Sequence, residues 1–173
     1  MGLDLSLTST GYAMDTEIDC ITTKFKGPER LSVISKKVLE ICLGNNIQCV
    51  VIESYSFGSR NSQAHSIGEL GGCIRMSLWE NKIPYVDVPP TSRAKFATGK
   101  GNAGKTEVIS SISSKTGKVF LGGGADDMCD AWILREMALA HLGISQYNWP
   151  QVNLSALEKI DWSPLEGINE QSK

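Results

Sequence analysis

The sequence predicts one α/β domain built around a mixed β-sheet. The chain has 173 residues, which is about the length of one domain. Its composition, 41% hydrophobic and 21% charged, is that of a globular protein with a buried core. Short strand-like segments come first along the chain and then alternate with helical segments, which is the order expected of an α/β fold.

The opening residues predict an antiparallel meander followed by a helix. Residues 2–14 alternate apolar residues with small or hydroxyl residues and break at Gly11, so we expect a strand, a turn and a second strand. Residues 18–25 predict a third strand. In residues 28–43, apolar side chains recur at helical spacing, and Gly44 marks the end of this helix.

The next segments predict parallel strands with helices between them. Residues 49–52 are a continuous apolar run, which is typical of a strand covered on both faces, and the run ends at Glu53. The remaining predicted elements are a helix, a strand and two further helices, over residues 61–82, 83–88, 104–116 and 125–142. Three glycines in the first of these helices indicate either a close approach to a sheet or partner helix, or a bend.

Residues 145–173 show little periodicity. We therefore expect a domain of residues 1–144 and a C-terminal extension of residues 145–173 that is partly docked or disordered.

Several features predict an intracellular protein, in the cytoplasm or another intracellular compartment, and exclude a secreted or membrane protein. No apolar run approaches the ~20 residues of a membrane span, and the N-terminus lacks the pattern of a signal peptide. The five cysteines are widely spaced and include no Cys-x-x-Cys pair, which favours reduced thiols.

Charge is unevenly distributed along a chain whose net charge is −2. Residues 91–118 carry six basic residues and one acid, whereas residues 119–144 carry four acids and one arginine. A basic segment beside an acidic cluster suits a metal-dependent site that handles phosphate, although two solvated faces of opposite sign fit the charges equally well.

Carboxylates in unusual positions identify a candidate metal site. Asp4 lies within a buried strand, where an unpaired charge is costly, and Glu53 ends a central strand. The last predicted helix adds Asp126, Asp127 and Asp130, and helical geometry alone does not decide which two of these face the site. Ligand sets made only of oxygens select Mg²⁺ or Mn²⁺.

The segment 99–106 matches the phosphate-binding P-loop pattern G-x-x-x-x-G-K-[ST], which leaves a P-loop nucleotide-binding protein as a remote alternative. A P-loop follows a buried strand directly, and residues 93–98 do not read as one. The glycines still allow a phosphate to approach the backbone, and Lys100 and Lys105 supply positive charge.

Taken together, these motifs resemble the RuvC-type Holliday-junction resolvases of the RNase H-like superfamily. The resemblance covers most of residues 2–142. Its parts are Gly2-Leu3-Asp4 with Thr10-Gly11-Tyr12, Val51-Ile52-Glu53, the helix with Gly68 and Gly72, the segment from Gly99 to Lys105, and Ala125-Asp126-Asp127-Met128-Cys129-Asp130-Ala131.

The resemblance implies the site residues. The metal ligands would be Asp4, Glu53, Asp127 and Asp130, which bind two Mg²⁺ ions, with Mn²⁺ able to substitute. Lys105 would be the essential basic residue beside the scissile phosphate, and it completes the catalytic set. The residues expected to contact DNA are Arg93, Lys95, Lys100, Lys105, Tyr55 and Phe57, the two aromatics being alternative stacking residues.

The resemblance also implies a function and partners. We expect an RNase H-like fold and an Mg-dependent endodeoxyribonuclease that resolves four-way or branched DNA by paired, symmetric cuts. A two-fold symmetric substrate implies a homodimer, with the helix at residues 61–82 as a candidate interface. The alternatives are a related nuclease acting on RNA–DNA hybrids or general branched DNA, and a non-catalytic junction-binding module.

Overall fold

A computed structural model describes residues 1–55 and 62–171, apart from the side chains of residues 62–64 and 168–171. The predicted mixed sheet is confirmed. It has five strands, β1 (Gly2–Asp4), β2 (Thr10–Ala13), β3 (Ile18–Ile21), β4 (Val50–Glu53) and β5 (Tyr85–Val88), in the order β3-β2-β1-β4-β5. The first three strands are antiparallel, and β1, β4 and β5 are parallel.

Helices cover both faces of the sheet. They are α1 (Gly27–Gly44), α2 (Ser62–Glu80), α3 (Pro90–Thr98), α4 (Lys105–Thr116), α5 (Ala125–His141), α6 (Gln151–Leu154) and α7 (Ser163–Gln171), with a 3₁₀ turn at Leu157–Lys159. Helices α1 and α2 pack on one face and share a core with Leu3, Val50 and Ile52. Helices α3, α4 and α5 share the core on the other face, with Val51 and Val88.

Helix α5 is buried nearly all round, as expected of a helix enclosed within a three-layer structure. Every residue from Cys129 to Ala138 is buried except Arg135, and the helix lies directly on β1 and β2. Two glycines permit this contact. A Cβ on Gly2 would overlap the carbonyl oxygen of Ala131, and a Cβ on Gly11 would overlap that of Asp127.

Helix α3 is an element that the sequence analysis did not predict. It begins directly after Val88, with Pro89 as its N-cap and Pro90 as its first residue, and it ends at Gly99, whose φ of 87° is left-handed. The segment 99–106 therefore joins two helices and follows no strand. The P-loop alternative is wrong for this reason.

Residues 145–167 pack on the α5 side of the sheet. Trp149 and Trp162 are buried in that core, and Trp149 contacts Phe96 of α3 with ring centroids 4.4 Å apart. The Asn153 side chain donates a hydrogen bond of 2.6 Å to the Phe96 carbonyl oxygen. The boundary expected after residue 144 stays a prediction.

The five cysteines are all free thiols. No helix within residues 1–55 and 62–171 combines the length and apolar character needed to cross a membrane.

We predict that Gly11→Ala displaces α5 from the sheet, because the added methyl group meets rigid backbone and no flexible side chain. Overpacking of this kind costs about 1–3 kcal/mol, which a urea midpoint would report. Gly44→Ala is the matched control, since its Cβ meets nothing within 4 Å. An equal effect of the two substitutions would contradict the close approach of α5.

Candidate active site

Two of the predicted acids lie side by side at the carboxyl ends of adjacent strands. The register pairs Gly2 with Val51 and Leu3 with Ile52, so the next residues, Asp4 and Glu53, are neighbours. Side chains alternate along a strand. Because Leu3 and Ile52 face α1 and α2, the two carboxylates point to the opposite face, where α5 lies.

Helix α5 brings Asp127 and Asp130 to the same place. Asp130 is buried with 6% of its surface exposed, and Asp127 is half-buried beside the hydroxyl of Ser9. Asp127, Asp130 and Glu53 all lie within electrostatic reach of Asp4, because each raises its pKa. Asp4, Glu53 and Asp130 therefore lie close together, and Asp127 lies at the edge of the same cluster, beside Asp126 and Ser9.

Arg93 of α3 lies inside this acid cluster. Its Nε donates a hydrogen bond of 2.5 Å to Glu53 Oε1, and its Nη1 donates to Asp130 Oδ1. We expected Arg93 to contact DNA, but the structure places its guanidinium between two acids. Burial alone would lower the pKa of Arg93, but Glu53 and Asp130 outweigh it and raise the pKa.

The negative charge of the site is only partly neutralised. Burial raises the pKa of Asp4 well above 3.8, and Glu53 and Asp130 raise it further. No side chain or backbone donor in the described ranges hydrogen-bonds to this carboxylate. Burial also raises the pKa of Asp130 to about 7 even though Arg93 opposes the shift. Buried acids that lack full compensation attract a cation.

The donor set fits a hard divalent cation. Four carboxylates supply oxygen ligands only, and Asp4 among them makes no ion pair within the described residues. In the arrangement seen, however, no three His, Cys, Asp or Glu side chains of the described residues are grouped closely enough to hold an ion. The Arg93 guanidinium separates Glu53 from Asp130.

Lys105 is held at the rim of the site. It begins α4, and its Nζ lies 2.5 Å from Asp126 Oδ2. The hydrogen bond from Lys105 lowers the pKa of Asp126, and the same bond raises the pKa of Lys105. Asp126, which helical geometry had left as an alternative ligand, is thus paired with Lys105, and this contact orients the lysine beside Asp127.

Two of the other predicted DNA contacts, Lys95 and Lys100, lie outside the acid cluster. Lys95 is two residues beyond Arg93, about 200° round α3, and so faces away from the acids. Lys100 is exposed and pairs loosely with Glu107 at 3.5 Å. Phe57 lies outside the described residues.

Tyr55 is fixed against α2. Its hydroxyl donates to the Gly68 carbonyl oxygen at 3.0 Å and accepts from Arg75 Nη1 at 2.8 Å. The Arg75 guanidinium also lies over the Tyr55 ring, 4.8 Å from its centroid. The ring is 39% exposed, so part of it is accessible.

The position of Arg93 was the feature that the sequence analysis missed. Two prolines directly after a buried strand are a helix-start signal, and a helix beginning at Pro90 would have placed Arg93 and Lys95 on opposite faces. Which face meets the acids depends on the docking of α3 on α5, which no local pattern specifies.

The chain resembles curated proteins along most of its length. It is 31% identical to the crossover junction endodeoxyribonuclease RuvC of Prochlorococcus marinus (strain NATL2A) over 155 residues, covering 83% of this chain and 96% of that protein. It is 30% identical to the RuvC of Carboxydothermus hydrogenoformans over 144 residues, covering 83% and 87%. No family model matches the chain.

Solved structures share the fold. Thermus thermophilus RuvC in complex with Holliday junction substrate superimposes with a TM-score of 0.64 at 21% identity, covering 85% of this chain and 97% of that one. The yeast mitochondrial Holliday junction resolvase gives a TM-score of 0.50 at 12% identity, covering 77% and 74%.

The sheet order, with acids at the carboxyl ends of β1 and β4, defines an RNase H-like domain. Its sequence similarity to curated relatives is more specific. The chain belongs to the RuvC family of crossover junction endodeoxyribonucleases.

We predict that Asp4→Asn stabilises the metal-free protein at pH 8. Folding raises the pKa of Asp4, so the folded state takes up a proton more readily than the unfolded chain. Stability contributed by this group is therefore lost as pH rises from about 3.8, and the loss is complete above the folded-state pKa. An asparagine carries no charge to desolvate.

Thermal unfolding in EDTA between pH 5 and pH 8 would measure this effect. The melting temperature of the variant should exceed that of the wild type by a margin that grows with pH. Asp19→Asn, at an exposed carboxylate of β3, is the control and should show no such trend. A variant less stable than wild type at pH 8 would contradict the assignment of a desolvated charge.

Proposed function

We propose that this protein is a structure-specific endonuclease that resolves four-way DNA junctions. The grouping of Asp4, Glu53 and Asp130 where β1, β4 and α5 meet, with Asp127 at its edge, carries the proposal. Family membership supports it, since the curated relatives are crossover junction endodeoxyribonucleases and a structural neighbour is bound to Holliday junction substrate. Because the proposed substrate and products are DNA, the protein would act in an intracellular compartment that contains DNA.

The four acids are the groups that would hold the metal. They would hold two Mg²⁺ ions, for which Mn²⁺ can substitute, and these would supply Lewis-acid chemistry for hydrolysis of the phosphodiester. Asp4 and Glu53 fix one side of the site from rigid strands, while Asp127 and Asp130 close it from α5. Holding ligands on regular elements limits their movement during the reaction.

Lys105 would offset charge at the non-bridging oxygens of the scissile phosphate. Asp126 orients its ammonium group at the rim, and 71% of the lysine side chain is exposed to an incoming backbone. Electrostatic stabilisation of this kind is typically a large contribution to catalysis. Asp126 therefore acts as a positioning residue and does not ligate metal.

The DNA backbone would follow the basic segment of residues 91–118. Lys95 and Lys100 belong to this segment and lie outside the acid cluster, and Tyr55, two residues after β4, is 39% exposed. Phosphate contacts by lysine and arginine make binding strongly dependent on salt. Tyr55 and Phe57 remain the proposed stacking residues.

Paired cuts in a two-fold symmetric junction require two active sites, so we propose a homodimer formed through α2. Gly68, Gly72, Met76 and Trp79 lie within about 80° on one face of this helix. A Cβ on Gly68 or Gly72 would meet nothing within 4 Å, and Trp79 is 75% exposed. A smooth apolar face with an exposed tryptophan fits a second copy of the same helix.

We predict that the wild-type protein with Mg²⁺ cuts a synthetic four-way junction by paired symmetric nicks, and that EDTA stops the reaction. Linear duplex and an RNA–DNA hybrid of matched sequence are the comparison substrates. Preferential cleavage of the hybrid would replace the proposal with a hybrid nuclease. Junction binding without any cut would indicate a non-catalytic module.

Substitutions at two adjacent acids test the ligand assignment. Asp127→Asn should abolish cleavage and spare junction binding. Asp126→Asn should lower the cleavage rate only about tenfold, because it affects the orientation of Lys105. Equal cleavage rates in the two variants would refute the choice of Asp127 as ligand.

We predict that Trp79→Lys converts the dimer to a monomer, which sedimentation velocity at micromolar concentration would show. Ile144→Lys is the matched control, because Ile144 is 64% exposed and lies on the opposite side of the sheet from α2. A dimer that persists in the Trp79 variant would exclude this face of α2.

A further inference from the structure

We propose that Arg93 is an internal counter-ion that occupies the metal position in the metal-free protein and is displaced when metal binds. The inference rests on the proposed metal site and concerns a residue that takes no part in ligation. It assigns to Arg93 a charge-compensating function in addition to the contact with DNA that was expected of it.

The Arg93 guanidinium forms a fork that pairs with Glu53 and Asp130, and the geometry of this fork supports the assignment. Nε and Nη1 of one guanidinium pair with Glu53 and Asp130, which lie on different elements. The side chains of the three residues are 13%, 18% and 8% exposed, so the contacts are shielded from water. Charge-assisted hydrogen bonds in such surroundings are strong.

The same fork excludes a cation. Glu53 and Asp130 each present to Arg93 an oxygen that a metal would need, and no three ligand side chains of the described residues are grouped as they stand. Metal binding therefore requires a second arrangement in which the guanidinium has left. Only molecules in the open arrangement bind metal, so the smaller their fraction is, the weaker the apparent affinity for metal becomes.

A DNA phosphate is an alternative partner for the displaced Arg93 guanidinium. Arg93 belongs to the basic segment of residues 91–118, along which the DNA backbone is proposed to run. Its five N–H donors match a phosphate group as well as they match carboxylates. Metal and DNA would then favour the same arrangement of Arg93, and each would raise the affinity for the other.

Binding of Mn²⁺ in the absence of DNA tests the inference, by calorimetry on the full chain. Arg93→Gln should bind Mn²⁺ about tenfold more tightly than wild type, because the site is open and has lost a positive charge. Arg135→Gln is the matched control, since Arg135 is also largely buried and pairs with Asp15 at a distance from the acids. Affinity no tighter than that of the control would overturn the inference.

Adding Asp4→Asn to the Arg93→Gln variant assigns the binding to the acid cluster. Tight binding should disappear in the double variant, and its persistence would overturn the inference.

A second measurement uses the wild-type protein and so does not depend on the folding of a variant. The Nε–Hε group of Arg93 should give a protected resonance in the ¹H–¹⁵N spectrum of the metal-free protein, because it donates to Glu53. Saturating Mg²⁺ should shift this resonance and speed its exchange with water. Arg93→Lys identifies the signal by its loss. An unchanged resonance at saturating Mg²⁺ would overturn the inference.

These readouts are independent of cleavage. If the wild type fails to cut junctions while Arg93→Gln still gains affinity for Mn²⁺, the proposed function fails and the counter-ion stands. If junctions are cut normally and neither measurement changes, the counter-ion fails and the function stands.

Discussion

The structure depends on the burial of negative charge where β1 and β4 run side by side. Parallel register places Asp4 and Glu53 next to each other, and α5 covers them with Asp130. Removing carboxylates from water is costly unless a positive group accompanies them. Two basic residues offset this cost. Arg93 bridges Glu53 and Asp130, and Lys105 pairs with Asp126 at the rim.

Close approach between backbone segments makes the cluster possible. Gly2 and Gly11 let α5 lie against the first two strands with no side chain between them. That contact sets the height of the helix above the sheet, and hence the distance from Asp130 to the strand acids. The glycines that flank Asp4 in the chain therefore position ligands that are more than a hundred residues away in sequence.

Most of the fold follows from local sequence signals, and the electrostatics of the site does not. Continuous apolar runs and helical periodicity predicted the mixed sheet and helices α1, α2, α4 and α5. Only the family resemblance selected Asp127 over Asp126 as the expected ligand, because helical geometry left both open, and this choice stays a prediction. The place of Arg93 was not predictable, because it depends on how α3 docks on α5, and docking is decided by side chains distant in the sequence such as Phe96 and Trp149.

Residues 145–167 affect the acids indirectly, through α3. Trp149 packs on the ring of Phe96 and Asn153 donates a hydrogen bond to its carbonyl oxygen, and Phe96 lies three residues beyond Arg93 on α3. These C-terminal residues thus hold α3, the helix that carries Arg93, in position. Sequence changes in this C-terminal segment would therefore change how readily Arg93 leaves Glu53 and Asp130, while every acid stays in place. Related chains could differ in their metal requirements in this way without any change in the ligands.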